Sequence, residues 1–238
     1  MNTLKTNSIE VLNPHFDLRA ALAQAALKGY AFSVDALTAE ACEAIEEEAS
    51  RLRFEAGDYV TKPIHEYKTT RVTQAHERAY FVVGDRQIPV ATAVSRALVY
   101  QVSRILSMAP IDDPLWGLTD WAPTEAGYQR YRNTDDHISP HRDRRTDQLL
   151  GATATVNGSA LVRIHRTLGD PNDYTNTAVI DEFQAEKGGL MLLRAPGFGS
   201  GEQEIHEVLP PTEGERLILN LRMRPDVLKA PNKEVHHG

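Results

Sequence analysis

The residues best suited to chemistry in this chain are His141 and Asp143, within His141-Arg142-Asp143. Residues two apart in a β-strand share a face, so His141 and Asp143 converge there while Arg142 points away. One imidazole nitrogen and one carboxylate oxygen can hold one side of a divalent metal. A second imidazole would complete a two-histidine, one-carboxylate set, which leaves coordination positions open and suits non-haem iron(II). His206, in the apolar run Glu204-Ile205-His206-Glu207-Val208, is the candidate for it. His141, Asp143 and His206 are therefore the expected metal ligands and catalytic centre.

Further on, Arg216 opens the run Arg216-Leu217-Ile218-Leu219-Asn220-Leu221-Arg222. Strand alternation places Arg216, Ile218, Asn220 and Arg222 on one face. A buried arginine needs an anionic partner, because an unpaired buried charge is costly. The remote carboxylate of a dicarboxylic co-substrate would supply one through bidentate hydrogen bonds. Tyr131 is read either as a pocket hydroxyl facing that acid or as an aromatic of the wall, and Asn220 and Arg222 as further candidates to line the pocket. Arg145 shares the expected face of His141 and Asp143 and is the candidate to hold a carboxylate or phosphate on the substrate. His165, on a return strand, is a second substrate candidate. The other histidines read as non-ligating, and Trp116 and Trp121 as core.

These side chains need elements to position them. Asp17 to Leu27 repeats apolar residues at helical spacing, and Gly29 is its stop signal. Tyr30 to Val34 reads as a strand. Thr38 is a plausible N-cap for a helix to about Leu52. Residues 54–90 read as short strands or loops. Val90 to Met108 is a strong amphipathic helix. After Pro110 the pattern turns to short β-type runs: Tyr128 to Arg132, Leu149 to Val156, Ala160 to His165, Gly189 to Leu193, Glu204 to Val208 and Arg216 to Met223. Asn157-Gly158 marks a two-residue hairpin. Regularly spaced strands of this kind suggest an antiparallel sandwich or barrel. The expected organisation is a single domain, with a helical support region over 1–110, a β core over 111–225 and a tail over 226–238. Residues 54–90 and 166–187 are the loops expected to carry substrate contacts.

Composition bounds the partners. The 238 residues carry a formal charge of -7, with 41% hydrophobic and 25% charged residues, which is ordinary for a globular chain. The acidic balance argues against a nucleic-acid partner, because phosphate contacts need a basic face. Cys42 is the single cysteine, so no intrachain disulfide is possible, and a cytoplasmic location is expected. No run approaches the ~18 apolar residues of a membrane span, and the first residues lead into no apolar signal segment. The sequence says nothing of oligomeric state.

The ordered set His141-x-Asp143, His206 and Arg216 resembles the iron(II)- and 2-oxoglutarate-dependent dioxygenases. Tyr128-Gln129-Arg130-Tyr131 is similar to the tyrosine-bearing strand ahead of that family's His-x-Asp. Gly188-Gly189-Leu190-Met191-Leu192-Leu193 resembles the glycine-led strand before its distal histidine, and His206-Glu207-Val208-Leu209-Pro210 its His-x-Val-x-Pro run. Lys28-Gly29-Tyr30 followed by Leu37-Thr38 is similar to the start seen in many members. Residues 125–225 match well and the N-terminal half loosely. Where many members have Ser or Thr two residues after the arginine, this chain has Ile218.

The resemblance implies a double-stranded β-helix, a jelly-roll or cupin-like barrel flanked by N-terminal helices. It implies Fe(II), 2-oxoglutarate and O2, with Arg216 pairing the far carboxylate of the oxo acid. The implied activity is oxidation of an unactivated C–H bond, by hydroxylation, desaturation or cyclisation, with release of succinate and CO2. The expected substrate is a small molecule, an amino acid or specialised metabolite. Arg222, six residues after Arg216, is similar to the second arginine of AlkB-like demethylases, so a nucleic-acid or protein side-chain oxygenase is the alternative. A non-enzymatic or isomerase cupin is the third reading, against which stands the lack of a His-x-His pair.

Overall fold

The computed structural model describes residues 10–55, 60–64, 67–132 and 135–225. The expected tail therefore lies outside the described residues. Among the described residues three α-helices lie in the first half of the chain, interleaved with its first strands. Helix α1 (Leu18–Lys28) is capped by the Asp17 side chain, which accepts from the Ala20 N–H, and ends on Gly29 at φ 93°. Its stop is a left-handed residue, which glycine adopts without Cβ strain. Helix α2 (Ala39–Ser50) is capped by Thr38, whose hydroxyl accepts from the Ala41 N–H. Helix α3 (Pro89–Ser107) has no capping side chain of its own. Its free N–H groups at Val90 and Ala91 instead donate to the buried Glu48 carboxylate of α2, at 2.6 and 2.9 Å. The Tyr128 hydroxyl donates to the same carboxylate.

Twelve strands follow the chain as β1 (Tyr30–Ser33), β2 (Val60–Ile64), β3 (Tyr67–Ala75), β4 (Glu77–Val82), β5 (Glu125–Tyr131), β6 (His137–His141), β7 (Gln148–Asn157), β8 (Ser159–Thr167), β9 (Thr177–Glu186), β10 (Leu190–Arg194), β11 (Ile205–Pro211) and β12 (Arg216–Met223). They form two six-stranded antiparallel sheets, ordered β1-β10-β7-β12-β5-β4 and β2-β3-β6-β11-β8-β9. From β5 to β12 successive strands cross between the sheets, except β8 and β9, which stay together as a hairpin. This winding is the expected double-stranded β-helix.

Side-chain alternation decides which core each strand serves. Leu217, Leu219 and Leu221 of β12, Ala152 and Ala154 of β7, and Leu190 and Leu192 of β10 join the helices in one apolar core. Ile218, Tyr131, Met191 and Leu193, from the opposite face of that sheet, meet Ile138, Val162, Ile164 and Val208 of the other sheet in a second core. The first sheet is therefore covered on both faces: by helices behind and by the second sheet in front.

Two expectations need correction. The region 1–110 is not only helical support, because β1 to β4 extend both sheets from it. Residues 166–187 are not one loop, because Thr177–Glu186 is the ten-residue strand β9 paired along β8, which leaves residues 168–176 as the connecting loop. The alternation of β9 is masked by the exposure of Val179 and Ile180, an edge-strand feature that polar patterning does not reveal. Among the described residues no helix is long and apolar enough to cross a membrane.

Candidate functional site

The interior between the sheets brings the candidate residues together. His141 is the last residue of β6 and His206 the second of β11, and the two lie directly opposite in the antiparallel register. Opposed residues share a face. Their rings are accordingly 4.3 Å apart between centroids. Asp143 lies two residues past the end of β6, in an irregular segment. Its Oδ1 is 4.0 Å from Nε2 of His206. One donor atom from each of His141, Asp143 and His206 falls within 4.8 Å of the others.

The hydrogen bonds around these donors orient them. Nδ1 of His141 lies 2.8 Å from the Ser139 carbonyl, and Nδ1 of His206 lies 3.3 Å from the Glu204 carbonyl. A proton held on each Nδ1 by a carbonyl leaves Nε2 as the free lone pair, the usual arrangement behind a ligating histidine. Oδ2 of Asp143 receives the Arg222 guanidinium at 2.9 Å, which leaves Oδ1 toward His206. Burial and the neighbouring His206 push the His141 ring down to about 3. Burial lowers His206 as well. At Asp143 burial pushes upward, but Arg222, His206 and His141 outweigh it and hold the carboxyl below its ordinary value. The neutral imidazole and ionised carboxylate forms are those a metal requires. The donor set therefore fits a non-haem iron(II) centre by type and by orientation.

Arg216 opens β12 opposite Tyr131, the last residue of β5. It is 2% exposed. One of its nitrogens donates to the Thr155 hydroxyl at 3.2 Å. Nε and Nη1 have no hydrogen-bond partner among the described residues. The guanidinium carbon lies 5.4 Å from the centre of the Tyr131 ring. A buried guanidinium with two unpaired N–H groups is costly, and a carboxylate is the partner whose geometry answers it. Thr155, opposite Ile218 across the β7–β12 register, supplies the hydroxyl that Ile218 lacks.

Arg222 behaves differently. Besides Asp143 it approaches Asp147 at 3.8 Å and the Ala152 carbonyl and Thr153 hydroxyl at 3.4–3.5 Å. Its guanidinium lies flat over Gly151, where a Cβ would come within 2.9 Å of it. Asp147, next along, is pushed up to about 6, because burial outweighs the attraction of Arg222 and Arg224. Arg222 thus grips the Asp143 carboxylate, and with Asn220 it lines the adjoining cleft. Asn220 lies between the two arginines, with its Oδ1 accepting from Thr153 at 2.6 Å.

The cleft that opens beside this centre has a volume of about 100 Å3 and is lined by Gln74, Tyr80, Glu125, Gln129, Arg142 and Arg144 together with His141, Asp143, Asp147, Asn220 and Arg222. Two substrate expectations are not met. Arg145 was placed on the His141 face by strand alternation, but β6 ends at His141, and Arg145 is an exposed turn residue while Arg142 and Arg144 line the cleft. His165 pairs with Ile205, one position out of phase with His206, and so faces away from the centre, toward Glu207 at 3.1 Å and Thr177 at 3.0 Å. Sequence reading passed over Thr153, Thr155 and Gln129. The signal of Thr153 and Thr155 was available, as polar residues at alternate positions in an apolar strand, while Gln129 sits beside Arg130 in a mixed one. Asp147 and Glu125 carried none, because a loop aspartate and a strand-end glutamate read as solvated charges.

No family model matches the sequence. No curated protein matches it. Solved structures share its fold. One is a Pseudomonas putida prolyl-4-hydroxylase, at 18% identity and a TM-score of 0.56, covering 87% of this chain and 98% of that one. Another is a prolyl hydroxylase from Trichoplax adhaerens in complex with a hypoxia inducible factor oxygen degradation domain peptide fragment, at 13% identity and a TM-score of 0.54, covering 90% of this chain and 93% of that one.

Proposed function

We propose that this chain is an iron(II)- and 2-oxoglutarate-dependent oxygenase that oxidises a C–H bond of its substrate. The observation that carries the reading is one interior between two sheets that holds both His141, Asp143 and His206 and a buried Arg216 with two N–H groups unpaired among the described residues. The first set suits the metal; the second suits the far carboxylate of a dicarboxylic acid. The two solved structures that share the fold bear the names of prolyl hydroxylases, which supports the reading.

Bound iron(II) would supply the O2 chemistry, coupled to loss of CO2 from the oxo acid and formation of succinate. The chain's own residues do the rest. His141 and His206 would present Nε2, each held in orientation through Nδ1 by a backbone carbonyl. Asp143 would offer Oδ1 while Arg222 holds Oδ2. Arg216 and the Thr155 hydroxyl would seat the remote carboxylate beneath the Tyr131 ring. Burial keeps water from these groups, so each charged hydrogen bond acts in a low-dielectric interior.

For the substrate, a small zwitterionic molecule such as an amino acid fits a narrow cleft carrying Glu125 and Asp147 beside Arg142 and Arg144. The peptide held by the Trichoplax adhaerens protein favours a second reading, hydroxylation of a peptidyl residue. Anaerobic loading with iron(II) and 2-oxoglutarate, then oxygen and parallel panels of free amino acids and proline-containing peptides, separates them by succinate release. Succinate formed with neither panel and no uptake of 2-oxoglutarate would overturn the oxygenase reading. Turnover that survives His141→Ala would remove the metal assignment.

A further inference from the structure

His76 stands in the one-residue link between β3 and β4, where the chain leaves one sheet for the other. The ring is 4% exposed. Neither Nδ1 nor Nε2 has a hydrogen-bond partner among the described residues. It stacks on Tyr131, with centroids 5.2 Å apart and planes 26° from parallel. Tyr131 in turn lies against the Arg216 guanidinium. The ring is also close enough to His141 for a charge on one to disfavour a charge on the other.

His76 is thus packed against the Arg216–Tyr131 pair. Buried polar atoms in native proteins are almost always paired, and an exception calls for a ligand, water or ion that completes it. Here four unpaired buried nitrogens lie around a single aromatic ring: two of Arg216 and two of His76. A chain that needed only bulk between its sheets could place phenylalanine there without leaving ring nitrogens unsatisfied.

We propose that His76 is a co-substrate contact: its imidazole N–H donates to an oxygen of 2-oxoglutarate, whose far carboxylate is held by Arg216. This rests on the oxygenase reading above. It assigns a role to a residue outside the metal and arginine motifs, in a part of the sequence that reads only as mixed strand and loop.

The test is His76→Phe, which keeps the stack on Tyr131 and removes both nitrogens. Affinity for 2-oxoglutarate is read by calorimetry on the Mn(II)-loaded protein without oxygen, and the metal-free thermal midpoint is read beside it. The expected result is a Kd raised about tenfold, as loss of one charged hydrogen bond implies, with a midpoint equal to or above wild type. A Kd within about twofold of wild type would overturn the proposal, including the case where only the apparent KM for the oxidised substrate rises. Should His76→Phe not fold, ring-nitrogen resonances of His76 in the wild-type protein, loaded with diamagnetic Zn(II), decide the matter: they shift on adding 2-oxoglutarate, or the proposal fails. Wild-type protein that takes up no 2-oxoglutarate would instead sink the oxygenase reading itself.

Discussion

Arg216 and Arg222 occupy opposite ends of β12, on the same inward face, and differ in everything except chemistry. Arg216 has one hydroxyl partner and two unpaired nitrogens. Arg222 touches Asp143, Asp147, Thr153 and a backbone carbonyl. One end has N–H groups without a hydrogen-bond partner among the described residues, and the other is a finished clamp. The difference teaches that a family-like arginine is interpreted by its partners: Arg216 keeps N–H groups with no hydrogen-bond partner among the described residues, whereas Arg222, which lines the cleft, is held by carboxylates.

The largest effect should come from breaking the finished end. Arg222→Met leaves Asp143 without its nearest counter-charge and Asp147 with Arg224 alone, and removing one partner of a buried pair costs about 3–5 kcal/mol. Urea denaturation of the metal-free protein should show the loss. Added divalent metal should recover part of it, because Asp143 then faces a cation again. Stability equal to wild type would erase the contrast between the two ends.

Acid should act next, at the other end. His76 beside Tyr131 is pushed down to about 4, by burial first and by Arg78 and His141 after. An ordinary histidine titrates near 6.5, so between those values the unfolded chain binds a proton that the folded one excludes. The contribution of His76 to stability is therefore complete above about pH 6.5 and is lost as pH falls toward 4, by roughly 3 kcal/mol in all. Denaturation midpoints from pH 7 to 4 should fall less steeply for His76→Phe than for wild type.

Arg216→Met should be the mirror image of Arg222→Met. No carboxylate loses a partner, so the metal-free protein should be as stable as wild type or more so. Binding of 2-oxoglutarate should weaken by about 10- to 100-fold, the worth of hydrogen bonds to a charged group. Calorimetry and urea titration on the same variant check both halves. The smallest effect belongs to Glu48→Gln, remote from both ends. Losing the charge that caps α3 should cost about 1 kcal/mol and leave affinity for 2-oxoglutarate unchanged.

Much of the scaffold is readable along the chain, because its determinants are local. Asp17, Gly29 and Thr38 mark helix ends by the groups they present within a few residues. The runs at β7, β8, β10, β11 and β12 reveal themselves through alternation and the Asn157-Gly158 turn. Strand β9 does not, since an edge strand needs no apolar stripe. In the site, His141, Asp143, His206 and Arg216 are legible as an ordered set. His165 and Arg145 mislead for one reason: alternation holds only within a strand and says nothing of phase relative to a neighbour or of the bend after His141.

What the sequence by itself determined is therefore the donor types and the face each shows along its own strand. His141 and Asp143 had to be close because a single residue separates them, and Arg216, Asn220 and Arg222 had to share a side because two-residue periodicity is a property of the extended backbone. Only the tertiary structure decided which of those groups are satisfied. The loop carrying Asp147 folds back onto Arg222, the β3–β4 link carries His76 onto Tyr131, and Thr155 arrives beside Arg216 from β7. Each is a long-range pairing set by which strands lie side by side, and pairing is what separates an arginine that binds from one that braces.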